Sequence, residues 1–354
     1  MVLSSWVTAP PILLVHPDRR AQRIVQRVLA GIGYRVEVAD DFEHGLARLA
    51  ELHPRLVVVD GSAAAPSAAP LLTAARAAGT EACMALLDAA QVAELPRILG
   101  LGAVTNLLVH PMPVLGEELM VTAQKLLRDD LFGAEKYLLW GTELEAITLT
   151  RASQRTHVVG ELADQVRARG LGPRAASVAM LVADELISNA VHNAPVDDAG
   201  AHYRADLPRD GELELDPRHR VALRWGCDGR YLAVEVTDRF GSLDRDTILR
   251  ALVRTKRSPL WHAGGLSQRI SGARHARDEM PGGWPESGQP PEASGFKDAG
   301  GGAGMGIALA YRSCDHLVFN LAPGKRTEVI ALIDVRSPHG ERVPASSYNV
   351  FVER

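Results

Sequence analysis

From Pro11 to about Arg128, short runs that are apolar almost throughout alternate with stretches of helical spacing. The runs are ILLVH, YRVEVA, RLVVVD, CMALLD and VTNLLVH. Uninterrupted apolar runs suit strands covered on both faces, and alternation with helices implies parallel pairing through right-handed crossovers. The pattern predicts five strands and five helices in a doubly wound α/β domain over residues 11–128. A ligand or signal site belongs at the carboxyl ends of such strands, where His16, Asp18, Asp60, Asp88 and His110 stand.

The pattern then changes. Residues 129–152 are mixed and amphipathic, with no Pro or Gly stretch long enough for a flexible linker, and read as a helical connector. A helix is expected over Val158–Arg169, stopped by Gly170, and a second one starts near Pro173, where a missing amide costs nothing. The second helix should run unbroken from Ala175 to Asn193. Gly200–Asp216 reads as a loop or irregular hairpin, followed by two strands in VALRWGCDGRYLAVEVTD around a turn at Cys227–Gly229. Ser258–Gly304 is rich in Gly, Pro and Ser and is expected to be a long mobile loop. A helix Met305–Ser313 and the strands HLVFNLA and TEVIALIDV close the pattern. This order predicts an α+β domain over 153–340, helices layered on a mixed sheet, with an insertion at 255–303.

Composition narrows the function. A chain of 354 residues suits two domains. A formal net charge of -4 speaks against direct nucleic-acid binding. Cys83, Cys227 and Cys314 are too scattered for a disulfide framework or a zinc site. The opening residues lack the layout of a secretory signal, and no apolar run reaches the ~18 residues of a membrane span. The expectation is a soluble cytoplasmic protein.

Candidate chemistry is concentrated in the second half. Glu185 and Asn189, four apart in DELISNAVHNA, project from one helix face, while Val178, Leu181, Val182, Leu186 and Ala190 form the apolar stripe. A carboxylate there can orient or deprotonate a hydroxyl, and an amide oxygen one turn on can complete the shell of a Mg2+ ion. Alone, the pair is an ordinary solvated helix face. Asp238 ends a buried-type strand, where a carboxylate needs a hydrogen-bond donor such as an adenine amino group. Gly241 permits a tight turn beyond it. The run GGGAGMG precedes a helix, so its backbone amides can approach phosphates, although a glycine run by itself is equally a hinge.

In this order the segments from about Ser153 to Val335 resemble the GHKL superfamily, which includes gyrase-type ATPases, histidine kinases and anti-sigma-factor serine kinases. The resemblance implies ATP and Mg2+ as cofactors. It makes Glu185 the catalytic carboxylate, Asn189 the Mg2+ ligand, Asn193 a residue of the phosphate side and Asp238 the reader of adenine. Gly304, Met305 and Gly306 match the lid-to-helix segment, and Thr327, after Gly324 and Lys325, resembles the last box supporting the adenine end. DRFGS departs from the family's usual Asp-x-Gly-x-Gly, with Phe240 and Ser242 flanking a single Gly241. Arg254, Lys256, Arg257, Arg269, Arg274 and Arg277 could clamp phosphates or an acidic partner, but read first as a solvated charged loop. No phosphorylatable histidine hairpin precedes the first box, and His157 reads as a surface residue. The spacing from Arg151 to Val191 instead resembles anti-sigma-factor serine kinases, which phosphorylate a serine on an antagonist protein and can sequester a sigma factor. The implied partner is an anti-anti-sigma-like or sigma-like regulator. The alternatives are a non-catalytic ATP-dependent partner switch and an orphan histidine kinase.

The first half resembles response-regulator receiver domains. Asp60 matches their phosphoacceptor, but HPD leaves only Asp18 of the usual acidic pair, and His110 replaces the usual lysine. Those losses weaken Mg2+ binding and remove the cation that pairs with an aspartyl phosphate, and Asp88 adds repulsion. A degenerate receiver serving docking or homodimerisation is the expectation.

Overall fold

A computed structural model of the chain describes residues 11–61, 65–88, 98, 103–110, 116–208, 212–254, 303–336 and 346–353. The expected insertion at 255–303 lies outside the described residues except for Ala303.

The first five strands are β1 (Ile12–Val15), β2 (Val36–Ala39), β3 (Leu56–Asp60), β4 (Ala82–Asp88) and β5 (Asn106–His110). They pair in parallel in the order β2-β1-β3-β4-β5. That order, with the switch between β1 and β3, is the flavodoxin-like winding. Helix α1 (Arg19–Gly31) is capped by Asp18, whose carboxylate accepts from the Arg20 and Ala21 amides. Helices α2 (Phe42–Leu52) and α3 (Ala65–Ala77) cover one face; α1 and α4 (Gly116–Arg128) cover the other.

The second half adds β6 (Glu145–Leu149), α5 (Gln154–Ala168), α6 (Gly172–Ser188), β7 (Val221–Cys227), β8 (Tyr231–Asp238), α7 (Arg245–Arg254), α8 (Ala303–Ser313), β9 (His316–Ala322), β10 (Arg326–Asp334) and β11 (Ser347–Val352). Proline sits in the first turn of α6, where its missing amide is harmless. Strands β9-β10-β8-β7-β6 are antiparallel neighbours. Their face towards α5, α6, α7 and α8 is apolar, with Val234, Val236, Phe319, Val329 and Ala331 in one buried cluster with those helices.

Several expectations need correction. Residues 129–152 are not a helical connector: they hold one short 3-10 turn, Ala134–Tyr137, and the edge strand β6 paired to β7. The reason is anchoring, since two buried carboxylates on the sheet, Glu328 and Glu235, accept the amides of Gly133 and Ala134 at 2.8 and 2.9 Å. The helix expected to run unbroken to Asn193 ends at Ser188 and widens into a π turn over Asn189–Asn193, closed by the Ala194 amide on the Asn189 carbonyl. Helix α7 occupies a stretch for which the pattern predicted nothing.

The last strand makes the largest difference. β11 lies beyond the expected boundary at 340, pairs parallel with β9 along its whole length and antiparallel with β5 at Tyr348↔Leu107 and Asn349↔Asn106. The two halves therefore share one 11-stranded sheet. Polar groups specify the seam: Asn106 donates to Asn349 at 3.0 Å, the Val109 amide to Ser347 Oγ at 3.0 Å and Tyr348 to the Val104 carbonyl at 3.0 Å. Helix α4 completes it by reaching across the back of the second half, where Leu126 and Ala123 share a buried cluster with Ala233, Val318, Ile330 and Phe351.

Candidate functional site

The π turn shapes a cleft between α6 and the sheet. Such turns insert an extra residue into a helix and recur at functional sites because they re-aim side chains. Here Asn193 donates to Asn189 Oδ1 at 2.8 Å, and both asparagines line a cleft of about 700 Å3, counting its open mouth. Asp238 and Thr327, directly paired across β8 and β10, line the same cleft. Leu186, Ala190, Val236, Ile307, Phe319 and Val329 supply apolar walls. The cleft thus combines flat apolar surface with a few converging polar groups, the usual make-up of a small-molecule site.

Asp238 is almost fully buried at the end of β8. Its Oδ1 accepts the amides of Phe240 and Gly241 at 2.8 and 3.2 Å. Burial still pushes its pKa up to about 6, these bonds and those of Thr327 only partly opposing the shift. The Thr327 hydroxyl faces the carboxylate but falls short of a well-formed hydrogen bond. Asp238 is thus an ionised acceptor above about pH 6.

DRFGS folds for reasons of its own. Gly241 has φ +59°, and a Cβ there would fall on the backbone of the β9–β10 turn, against the Ala322 carbonyl and 2.7 Å from the Lys325 nitrogen. Its carbonyl accepts the Gly324 amide at 3.1 Å. Gly241 is therefore the clamp between β8 and the β9–β10 turn, and it does not line the cleft. Gly241→Ala should lower unfolding stability by about 2–4 kcal/mol, read from urea midpoints, since both conformation and space are denied. Phe240 packs on His219, ring centroids 5.1 Å apart. Ser242 lines the cleft and donates to the Ala194 carbonyl at 2.7 Å, tying this turn to the π turn.

Glu185 stands one turn before Asn189 on α6 and is not among the residues that line the cleft. A Cβ on Gly306 would lie 2.7 Å from Glu185 Oε2 and 3.0 Å from Asn189 Nδ2, so the start of α8 passes directly over this pair. Gly304 and Met305 belong to the first turn of α8. Asn189 Nδ2 is buried with no hydrogen-bond partner among the described residues, a condition costing about 1–3 kcal/mol unless something else meets it. Sequence reasoning missed His202, Ser242, Asp244 and Thr247, all lining the cleft. Asp244 and Thr247 carry the capping signal of a helix start, DxxT, with the Thr247 amide on Asp244 Oδ1 at 2.8 Å. His157 is three-quarters exposed, as expected.

At the carboxyl ends of the first-half strands, Asp60 is buried with His16 Nε2 at 4.0 Å. Burial lowers the pKa of His16, against the pull of Asp60 and Asp18. Asp18 is engaged as the α1 cap. Asp88 and His110 are direct neighbours across β4 and β5.

No family model matches the chain, and no curated protein matches it. Solved structures similar to part of it include receiver domains. A protein described as a response regulator from Chloroflexus aurantiacus is 20% identical over 33% of this chain and 97% of its own, with a TM-score of 0.30. The signal receiver domain of an HD-domain-containing protein from Pseudomonas fluorescens is 18% identical over 36% and 94%, with a TM-score of 0.31. A response-regulator receiver domain from Clostridium thermocellum is 15% identical over 34% and 95%, with a TM-score of 0.30. The order β2-β1-β3-β4-β5 gives the first third of the chain a flavodoxin-like fold. The remainder is a mixed sheet with helices. No helix among the described residues is long and apolar enough to cross a membrane.

Proposed function

We propose that the cleft binds ATP and that the chain is a GHKL-type signalling protein whose receiver-fold half has a regulatory role. The observation that carries this reading is the convergence of Asp238, Thr327, Asn189 and Asn193, drawn from three separate segments, on one largely apolar cleft. Asp238 can accept the adenine amino group, with the flat apolar walls stacking the ring. The unpartnered Asn189 Nδ2 and the backbone start of α8 above Glu185 suit the phosphate end, since helix N-termini favour anions.

Asn189 would hold Mg2+, which supplies charge neutralisation of the phosphates when bound. Its Oδ1 accepts from Asn193 and keeps a second lone pair for a cation. Glu185 would orient a serine hydroxyl of a protein partner and accept its proton as the hydroxyl attacks the γ-phosphorus and ADP leaves. The partner class remains that of an anti-anti-sigma-like or sigma-like regulator. Incubation of the full chain and such partners with γ-labelled ATP and Mg2+ should place label on a partner serine. Glu185→Ala should cut the rate by about 100-fold or more while ATP binding persists. ATP binding without transfer to any partner would reduce the function to a non-catalytic switch.

On the receiver side, the His16–Asp60 pairing and the use of Asp18 as a helix cap leave few groups for Mg2+ beside Asp60. This favours a docking role for that half over phosphorylation. The shared strand β11 and the reach of α4 give such docking a physical form within one chain.

A further inference from the structure

The lip of the cleft between the π turn and β7 is built to hold one side chain. Asp197 accepts the amides of Ala199 and Ala201, and its own amide bonds the Ala201 carbonyl at 3.1 Å, closing a tight loop. One residue on, His202 turns into the cleft and its Nδ1 lies 2.6 Å from the Asn193 carbonyl. Tyr203, next in line, is pinned from the other side by His219, its hydroxyl 2.6 Å from Nε2. A carbonyl can only accept, so Nδ1 of His202 donates to it, and Nε2 can donate to an anionic occupant of the cleft when the ring carries both protons.

Two carboxylates, Asp238 and Asp244, line the cleft and would repel a phosphate. His202 lines it fastened to Asn193, which in turn donates to Asn189 beside the start of α8. In the ATP reading these asparagines belong to the phosphate end, so the imidazole fastened to Asn193 belongs there too.

Resting on the ATP reading above, we propose that His202 binds the phosphate chain of the nucleotide through Nε2. No motif of the sequence marks this residue; the loop geometry delivers it. With both nitrogens protonated, the ring donates from Nδ1 to the Asn193 carbonyl and from Nε2 to a phosphate oxygen, and it leaves the adenine end untouched.

Calorimetric titration of the full chain with ATP, ADP and adenosine, each with Mg2+, tests this. His202→Ala should weaken ATP about tenfold and adenosine less than about twofold, so that the loss depends on phosphate. Tyr203→Phe loosens the same lip but keeps the imidazole, and should leave the ATP-to-adenosine ratio of affinities unchanged. Equal losses for ATP and adenosine in His202→Ala would make the residue a structural part of the lip and overturn the proposal, as would an unaltered ATP affinity. Wild-type protein that binds neither ligand overturns the ATP reading itself, an outcome distinct from those two.

Discussion

Phe351→Ala should destabilise the whole chain by about 3–5 kcal/mol, the cost of emptying a fully buried aromatic site. Phe351 lies on β11, opposite Asn320 of β9, with its ring 4.2 Å below the Lys125 ammonium of α4. It is buried in the cluster that joins α4 and β1 of the first half to Val318, Ile330 and Leu332 of the second. The cavity therefore opens at the seam and weakens both halves together. Urea unfolding should show one transition, shifted to lower denaturant in both far-UV and tryptophan signals. Val352→Ala, next in the strand but 43% exposed, should change stability by no more than about 0.5 kcal/mol. Two separated transitions in the wild type, or a small effect of Phe351→Ala, would mean that β11 does not weld the halves.

Lys125→Met should be comparably damaging, by about 3–5 kcal/mol, for an electrostatic reason. Lys125 is fully buried, donating to Asn320 Oδ1 and Tyr137 Oη at 2.9 Å each. Burial drives its pKa well below the usual lysine value, while the nearby Glu328 carboxylate pulls the other way. Glu328 in turn accepts from Asn320 Nδ2 at 2.7 Å and from the Gly133 amide. Glu235, buried beside it, bonds Arg224 and has its pKa raised by burial and then by Glu328. Removing the lysine leaves two buried carboxylates facing each other with less compensation. The double variant Lys125→Met, Glu328→Gln should recover more than half of the loss, because the uncompensated charge goes with its partner. A double-mutant cycle from urea midpoints measures this. Simple additivity would show that the two do not interact.

These residues also explain what could be read from the chain and what could not. Strands β1, β3 and β4 declare themselves because they are apolar almost throughout, as strands buried on both faces must be: LVVVD and ACMALLD are fully or nearly fully covered, whereas the edge strand β2, VEVA, is only partly buried. The Glu185–Asn189 spacing, the capped end of β8 at Asp238 and the α8 glycines were legible because they follow local rules of helix period and turn chemistry. Strand β11 was not. Its Ser347 and Asn349 look like loop residues, and only the partners waiting on β5 make them interior. Edge strand β6 alternates between partly buried and exposed residues and carries no continuous apolar run, so its amphipathic pattern passed for helix. Glu235 and Glu328, lone carboxylates inside apolar strands, were the overlooked clue. A buried carboxylate needs donors, and those donors are the amides that hold 129–138 out of a helix. His202 is invisible for a related reason, because its role depends on a loop closing back onto Asn193.

The strand β10 shows how the two regions meet: Thr327 faces the cleft and its neighbour Glu328 faces the Lys125 network, as alternation along a strand requires. This cleft is the proposed nucleotide site. Calorimetric titration of ATP with Mg2+ into wild type and Asp238→Ala, the latter first shown to be folded by its far-UV spectrum and melting curve, tests it most directly. The expected result is saturable one-to-one binding by the wild type and a loss of at least about 30-fold in the variant, the cost of removing a buried acceptor of the adenine amino group. Absence of saturable binding by the wild type, or equal affinity in both proteins, would contradict it.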